Sequence, residues 1–316
     1  MKERVCIIGA GPAGITALKF DKSFIDYSEG PVPLYLKMMH PEYTNLFFVG
    51  LFQILSYKTR LMKSIFITGG AQGIGLATAS LFSQKNWRVA CFDLDAARLA
   101  ALQESLPNVR CYEGSVTDPE AIKKALEDFS AEANGALDVL HNNAGIIEVG
   151  DFESIPLEKH QRVVTVNLTG TITVTHTALP FLKKAQQPVI VSMSSAAALY
   201  GNPENTTYAA SKAAIMSLTE AWNLAFRKYN IRVTDLLPIY VKTRMVSDYQ
   251  HLYRKVDEQK VRLTPEALAQ KVWDAVHGKK LHYLVGRDTK VFAILLKILP
   301  ERWTPSVVRK VLGYED

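Results

Sequence analysis

Three cysteines in 316 residues, Cys6, Cys91 and Cys111, are too few and odd in number for a disulfide framework. Each lies in an apolar, strand-like stretch, which predicts buried free thiols, and no spacing among them suits a metal site. Long apolar runs are also missing: no segment offers the ~20 apolar residues that a membrane-spanning helix needs. The opening "MKERVCIIGAGPAGITA" mixes an acid into its charged start and breaks its apolar part with Gly and Pro, unlike a secretory signal, so a cytoplasmic location is expected. Net charge is modest for the length, +6, with no basic run and no arginines interleaved with aromatics, which argues against a nucleic-acid partner.

What is present is 48% hydrophobic and 22% charged, the composition of a globular protein long enough to bury a core without staples. From Met62 onward, apolar strand-length runs alternate with helical stretches. The expected strands are 65–68, 88–92, 109–112, 137–141, 189–193, 231–237 and 283–285. Expected helices include 74–85, 96–106, 119–133, 156–182, 208–229 and 265–277. Strict alternation with near-continuous apolar strands predicts an α/β fold, a doubly wound parallel sheet with helices on both faces. Residues 1–61 do not share that rhythm and read as a short appendage, with the boundary near Leu61 and Met62.

Two glycine-rich turns compete for a nucleotide. In each, an apolar strand leads into glycines that let backbone approach a pyrophosphate, and a helix is expected to follow. The first is "VCIIGAGPAGITALK", with Gly9, Gly11 and Gly14; the second is "IFITGGAQGIGLA", with Gly69, Gly73 and Gly75. Only the second has the expected partner, a following strand that ends in a carboxylate, Asp93, eighteen positions past Gly75. A carboxylate there accepts from both ribose hydroxyls and repels a 2′-phosphate, which favours NAD(H) over NADP(H); capping of the helix that begins near Ala96 is the alternative role. After the first turn, Glu29 sits in a Gly/Pro-rich stretch with no strand to present it.

Farther on, "VIVSMSSAAALYGNPENTTYAASKAAI" puts Tyr208 and Lys212 four apart at the start of a helix, on one face. A tyrosine is a poor base at neutral pH, but a neighbouring ammonium favours the phenolate. Ser195, ending the preceding strand, can donate a hydrogen bond to a substrate oxygen. A helix-surface pair and a small-residue packing run are the bland alternatives.

Together these motifs make Met62–Gly286 resemble the short-chain dehydrogenase/reductase family. "TGGAQGIG", "NNAG" (142–145), Asn167 in "VNLTG", Ser195, "YAASK" and "PIYVKT" occur in the family's order and spacing. The resemblance implies a Rossmann fold, Tyr208 as general acid/base, and Lys212 lowering its pKa and holding the nicotinamide ribose. It further implies Ser195 orienting the substrate and Asn167 supporting Lys212 through a water. Gln72, Ile74 and Val116 would join the three loop glycines around the cofactor. Asn143, Ala144 and Gly145 would pass its adenosine half, and Val241 and Thr243 its carboxamide. Pairing into a homodimer or homotetramer through the helices holding Asn167 and Tyr208 is implied too. Two positions depart from the family: Ile239 follows Pro238 in place of Gly, and Ser115 stands where Asp is usual.

"CIIGAGPAG" and "HPEYTNLFFVGLFQ" (40–53) resemble opposite ends of flavin-containing monooxygenases joined together, with everything between missing. FAD is therefore not expected to bind, and flavin-dependent activity is a rival reading. Another is a non-catalytic NAD(H)-binding redox sensor. For the substrate, Met245, Val246, Tyr249, Leu252 and Tyr253 offer an apolar, aromatic lining that hints at a lipophilic alcohol or carbonyl compound. The tail, 287–316, combines an apolar run with Lys290, Lys297, Arg302, Arg309, Lys310 and a Trp. It suits peripheral contact with a membrane interface, the alternative being a helix packed on its own domain or on a second subunit.

Overall fold

The computed structural model describes residues 5–11, 14–19, 62–248 and 262–312. The chain divides into two compact units, Met1–Gln53 and Ile54–Asp316.

In the first unit, β1 (Val5–Gly11) is followed by β2 (Gly14–Lys19), not by the expected helix. The two pair antiparallel, with Val5 opposite Lys19 and Gly11 opposite Gly14, and an irregularity between Ile7 and Ala10. The glycines therefore serve a tight reversal between strands, a use for which glycine is equally suited. The hairpin supplies no helix N-terminus to face a pyrophosphate, so the first glycine turn lacks the group that a dinucleotide loop needs. The rest of the monooxygenase-like segment lies outside the described residues.

The second unit alternates as expected. Its strands are β3 (Ser64–Thr68), β4 (Arg88–Asp93), β5 (Val109–Glu113), β6 (Val139–Asn142), β7 (Val189–Met193), β8 (Arg232–Pro238) and β9 (His282–Val285). They form one all-parallel sheet in the order β5-β4-β3-β6-β7-β8-β9. Strand order reverses between β3 and β6, and it is outside the carboxyl ends of strands at such a point that ligand crevices open.

Side chains alternate across the sheet, and both faces are dry. Ile65 and Ile67 point into one core layer with Phe82, Val89 and Val191, while Phe66 points into the other with Phe92, Ile122, Leu126 and Phe129. Helices α1 (Gly73–Gln84) and α7 (Pro265–His277) pack together over the first layer, where Phe82 meets Trp87 and Trp273 edge-on, each at 5.0 Å between centroids. Burying a phenylalanine this completely contributes roughly 1.5–3 kcal/mol. Helices α2 (Ala96–Ser105) and α3 (Pro119–Ser130) start under the side chains of Asp95 and Asp118, which accept from N–H groups of their first turns.

The expected single helix over 156–182 is three pieces: α4 (Leu157–Val164), a π-helical turn (Thr165–Thr169) and α5 (Gly170–Leu182). No breaker in the sequence marks the π turn, but Asn167 at its centre is tied to another segment, as described below. Helix α6 runs Thr206–Ala225; α8 (Arg287–Ile298) and α9 (Thr304–Leu312) close the described chain. Cys91 is buried as expected, whereas Cys111, beside it on β5, is half-buried because that strand is at the sheet edge. The burial of Cys6 lies outside the described residues.

Candidate active site

A cleft of about 340 Å³ opens at the carboxyl ends of the strands. One end is built by the second glycine turn. Gly69 and Gly73 take φ of +64° and +54°, and a Cβ on Gly75 would lie 2.1 Å from the Gly69 carbonyl oxygen, so only glycine lets the turn close onto α1. Gln72, at the N-cap of α1, makes no side-chain bond to the helix, and no acid stands in the first turn. The N–H groups and positive dipole end there are thus left for an anion.

Asp93, half-buried at the end of β4, lines the same end. One oxygen accepts from the Ala71 N–H at 3.0 Å and the other from the Asp95 N–H at 3.1 Å. Each keeps a lone pair for a ligand hydroxyl. The cap of α2 is Asp95, which accepts from the Arg98 N–H at 3.1 Å, so the alternative role of Asp93 as helix cap is removed. Arg98, the nearby cation, is engaged by Asp95 at 3.1 Å and by the Gln72 side chain at 2.5 Å.

Val116, Asn143, Ala144 and Gly145 continue the wall. Asn143 ties the glycine turn to β6, its amide donating to the carbonyls of Thr68 (3.1 Å) and Gly69 (2.9 Å). Val241 and Thr243 line the opposite side, with Thr243 nearest the bare face of Gly73. These features fit a dinucleotide: a glycine turn free of side chains, an uncapped helix start and a carboxylate with open acceptor sites.

At the other end, β7 and α6 bring Ser195, Tyr208 and Lys212 into the cleft. Lys212 is buried and donates from Nζ to the Met193 carbonyl at 2.7 Å. Burial pushes its pKa down to about 8, which leaves it cationic at neutral pH. Its Nζ sits 5.6 Å from the Tyr208 ring centroid. Burial pushes the Tyr208 hydroxyl up, and the hydrogen bond with Ser195 pulls the other way. Burial is the larger of the two effects, so the phenol keeps its proton at neutral pH.

Asn167 is 1% exposed and stands behind this group. It accepts from the Ile146 N–H at 2.8 Å and donates to the Ile146 carbonyl (2.9 Å) and to Ser211 Oγ (3.1 Å). Ser211 in turn donates to the Tyr208 carbonyl at 2.7 Å. Gly145 lies between Asn167 and Lys212: a Cβ there would be 3.2 Å from Asn167 Oδ1 and 3.4 Å from Lys212 Nζ. Asn167 is thus placed to set the NNAG loop and α6 relative to each other.

Ser115 and Ile239, the two departures from the family pattern, both line the cleft. Among the substrate residues expected from sequence, Met245 is at the cleft, the side chain of Val246 is not described, and Tyr249, Leu252 and Tyr253 lie outside the described residues. Sequence reasoning missed Tyr200, Asn202, Asn205 and Tyr240, all in the wall. Their signal was position, since the first three fall in the Gly/Pro/Asn turn between Ser195 and Tyr208.

With this geometry established, comparison with known proteins gives the class. The family described as short chain dehydrogenase matches residues 63–253, and the chain belongs to it. The chain is similar to a 3-oxoacyl-[acyl-carrier-protein] reductase of Thermotoga maritima, 36% identical over 216 residues, covering 66% of this chain and 87% of that protein. It is also similar to a cyclohexanol dehydrogenase of an Acinetobacter species, 32% identical over 196 residues, covering 60% and 76%. A crystal structure of a Brucella melitensis 3-ketoacyl-(acyl-carrier-protein) reductase complexed with NADH superimposes with a TM-score of 0.64 at 25% identity, covering 71% of this chain and 96% of that one. The protein is accordingly an oxidoreductase of the short-chain family.

Proposed function

We propose that this oxidoreductase uses NAD(H) to interconvert a lipophilic alcohol and its carbonyl compound, with Tyr208 exchanging the hydroxyl proton. The observation that carries this reading is the meeting of Tyr208, Ser195 and Lys212 at one end of a cleft whose other end presents Asp93. Asp93 would hold the adenosine ribose and the Gly69–Gly75 turn the pyrophosphate, and the dinucleotide would supply or accept the hydride. The chain's own residues handle the oxygen. Ser195 donates a hydrogen bond that fixes the carbonyl beside Tyr208, and the phenol gives its proton to that oxygen on reduction and recovers it on oxidation. Lys212, cationic and buried, stabilises the phenolate left behind and offers donors to the nicotinamide ribose. Asn167 holds the loop and helix that position both.

The direct test is an assay of the purified chain with NADH or NADPH against a panel of ketones and aldehydes. Carbonyl-dependent loss of nicotinamide fluorescence is expected; tight NADH binding with no turnover of any carbonyl would favour the redox-sensor reading. The same assay scores cofactor choice. NADH is expected to outcompete NADPH, and Asp93→Ala to narrow the gap by tenfold or more, since it removes both the ribose acceptors and the charge facing a 2′-phosphate. A wild-type preference for NADPH would remove Asp93 from this role.

Two partner assignments rest on exposed apolar surface. Val164, Ile172 and Leu224 stand exposed on α4, α5 and α6, which supports pairing with another copy through those helices. On the tail, Val291, Ile294 and Ile298 share one face of α8 at 60–73% exposure, with Trp303 just beyond. Residues 287–312 hold six basic side chains against two acidic ones, which supports contact with an anionic membrane surface. In a flotation assay the chain is expected to rise with vesicles rich in phosphatidylserine and not with neutral ones, and Ile294→Glu with Ile298→Glu to abolish this. A wild-type chain that stays at the bottom as a sedimenting dimer or tetramer would assign the stripe to self-association instead.

A further inference from the structure

The turn between Ser195 and Tyr208 carries a polar group that the hydride-transfer chemistry does not use. Asn205 is the N-cap residue of α6, three positions before Tyr208, and is 3% exposed. Asn is among the side chains best suited to capping a helix, by accepting from the first-turn N–H groups. Asp95, Asp118 and Thr264 do this for their own helices. Asn205 does not: its side chain makes no bond to α6, and its Oδ1 is buried with no hydrogen-bond partner among the described residues. A buried amide oxygen left without a partner is destabilising and calls for an explanation.

The residue is not loose. Its N–H reaches the Asn202 carbonyl at 3.4 Å, the Asn202 side chain accepts from the Glu204 N–H at 3.0 Å, and the Glu204 carbonyl accepts from the Gly150 N–H at 2.9 Å. The short turn Pro203–Asn205 is thus pinned from both sides, with Asn205 in the wall of the cleft.

Around it the wall is apolar or aromatic. Ile147 packs with Tyr208 and Tyr240, and Tyr200 stands edge-on to Phe292 of α8 at 5.1 Å. Glu204 is buried and its charge acts on the Tyr200 hydroxyl, which disfavours an anionic ligand group here.

We propose that Asn205 is a specificity-determining residue whose Oδ1 accepts a hydrogen bond from a second hydroxyl group of the substrate. The preferred substrates are then otherwise apolar alcohols or carbonyl compounds bearing a further hydroxyl group, such as diols and hydroxyketones. Compounds with only the reacting oxygen leave the amide unpaired and are discriminated against. The inference rests on the hydride-transfer reading above and narrows its substrate.

The test compares cyclohexanol with the 1,2-, 1,3- and 1,4-cyclohexanediols, using the full chain and NAD⁺. Two quantities are read: kcat/KM from nicotinamide absorbance, and binding of each compound to the NADH complex from nicotinamide fluorescence. The wild-type chain should favour at least one diol over cyclohexanol by tenfold or more in both. Asn205→Leu should bring that ratio close to one, and Asn205→Ser, which keeps a hydroxyl, should retain part of it. Equal handling of cyclohexanol and every diol by the wild type would overturn the proposal. So would an Asn205→Leu variant that lowers all substrates alike, the mark of a purely structural position. Absence of turnover with retained NADH binding would sink the hydride-transfer reading, and the fluorescence ratio would still decide on Asn205.

Discussion

Replacing Tyr208 with Phe is expected to lower carbonyl-dependent turnover by about 10³-fold, within the range that a positioned acid/base contributes, while NADH binds as before. The ring remains to pack against Ile147, and only the hydroxyl facing Ser195 is lost. In the proposed reaction that hydroxyl is the group that exchanges a proton with the substrate oxygen in step with hydride transfer. The direction of the Tyr208 shift adds a second signature. Because burial raises this phenol, it is protonated and ready to act as an acid across the neutral range. Reduction should therefore hold level at neutral pH and fall as the phenol ionises in alkali, while oxidation, which needs the phenolate, should rise with pH. The Phe variant should lose both limbs. Turnover within tenfold of wild type, or an unchanged pH profile, would remove Tyr208 from the acid/base role. A large loss of NADH affinity would point to collapse of the site instead.

Gly75→Ala is expected to damage cofactor binding and stability together. The added methyl would stand 2.1 Å from the Gly69 carbonyl oxygen and 2.8 Å from the amide nitrogen of Asn143, and the first of these is backbone that cannot rotate away. The turn must open. Opening breaks the bond from Asn143 to the Gly69 carbonyl that ties the turn to β6, and it spoils the N–H cradle at the start of α1. An effect of this kind is expected to cost several kcal/mol, and at roughly 2–4 °C per kcal/mol for a domain of this size the midpoint should fall by about 5–10 °C. NADH affinity should weaken by tenfold or more. Gly201→Ala is the control, since no atom lies within 4 Å of where its methyl would go. Equal melting midpoints and NADH affinities for the two variants would show that the turn yields freely, contrary to the packing described.

The doubly wound sheet was legible because parallel strands buried on both faces must be nearly continuous apolar runs, and seven such runs alternate with helical spacing from Met62 onward. Legible too were residues whose placement depends on local spacing. Tyr208 and Lys212 share a helix face by arithmetic, and Asp93 ends a strand that must lie beside the glycine turn in any βαβ unit. Each of these is fixed by backbone geometry within a few dozen residues.

Other features depended on neighbours far along the chain. The first glycine turn has the composition of a nucleotide loop, yet strand pairing of Gly14–Lys19 with Val5–Gly11 makes it a hairpin, since glycine permits either reversal. The π turn at Asn167 has no sequence mark, because it is secured by hydrogen bonds to Ile146, twenty-one residues away. Asp95 rather than Asp93 caps α2, a choice between two nearby carboxylates that composition leaves even. Tyr200 enters the cleft wall against Phe292 of a helix ninety residues later, and Asn205 forgoes its own helix to line the same wall. The sheet, the glycine turn at Gly69–Gly75 and the Tyr208–Lys212 pair thus follow from the order of residues, because short-range periodicity dictates them. What surrounds Tyr208 and Ser195 came from packing, because that wall is assembled from segments far apart in the chain.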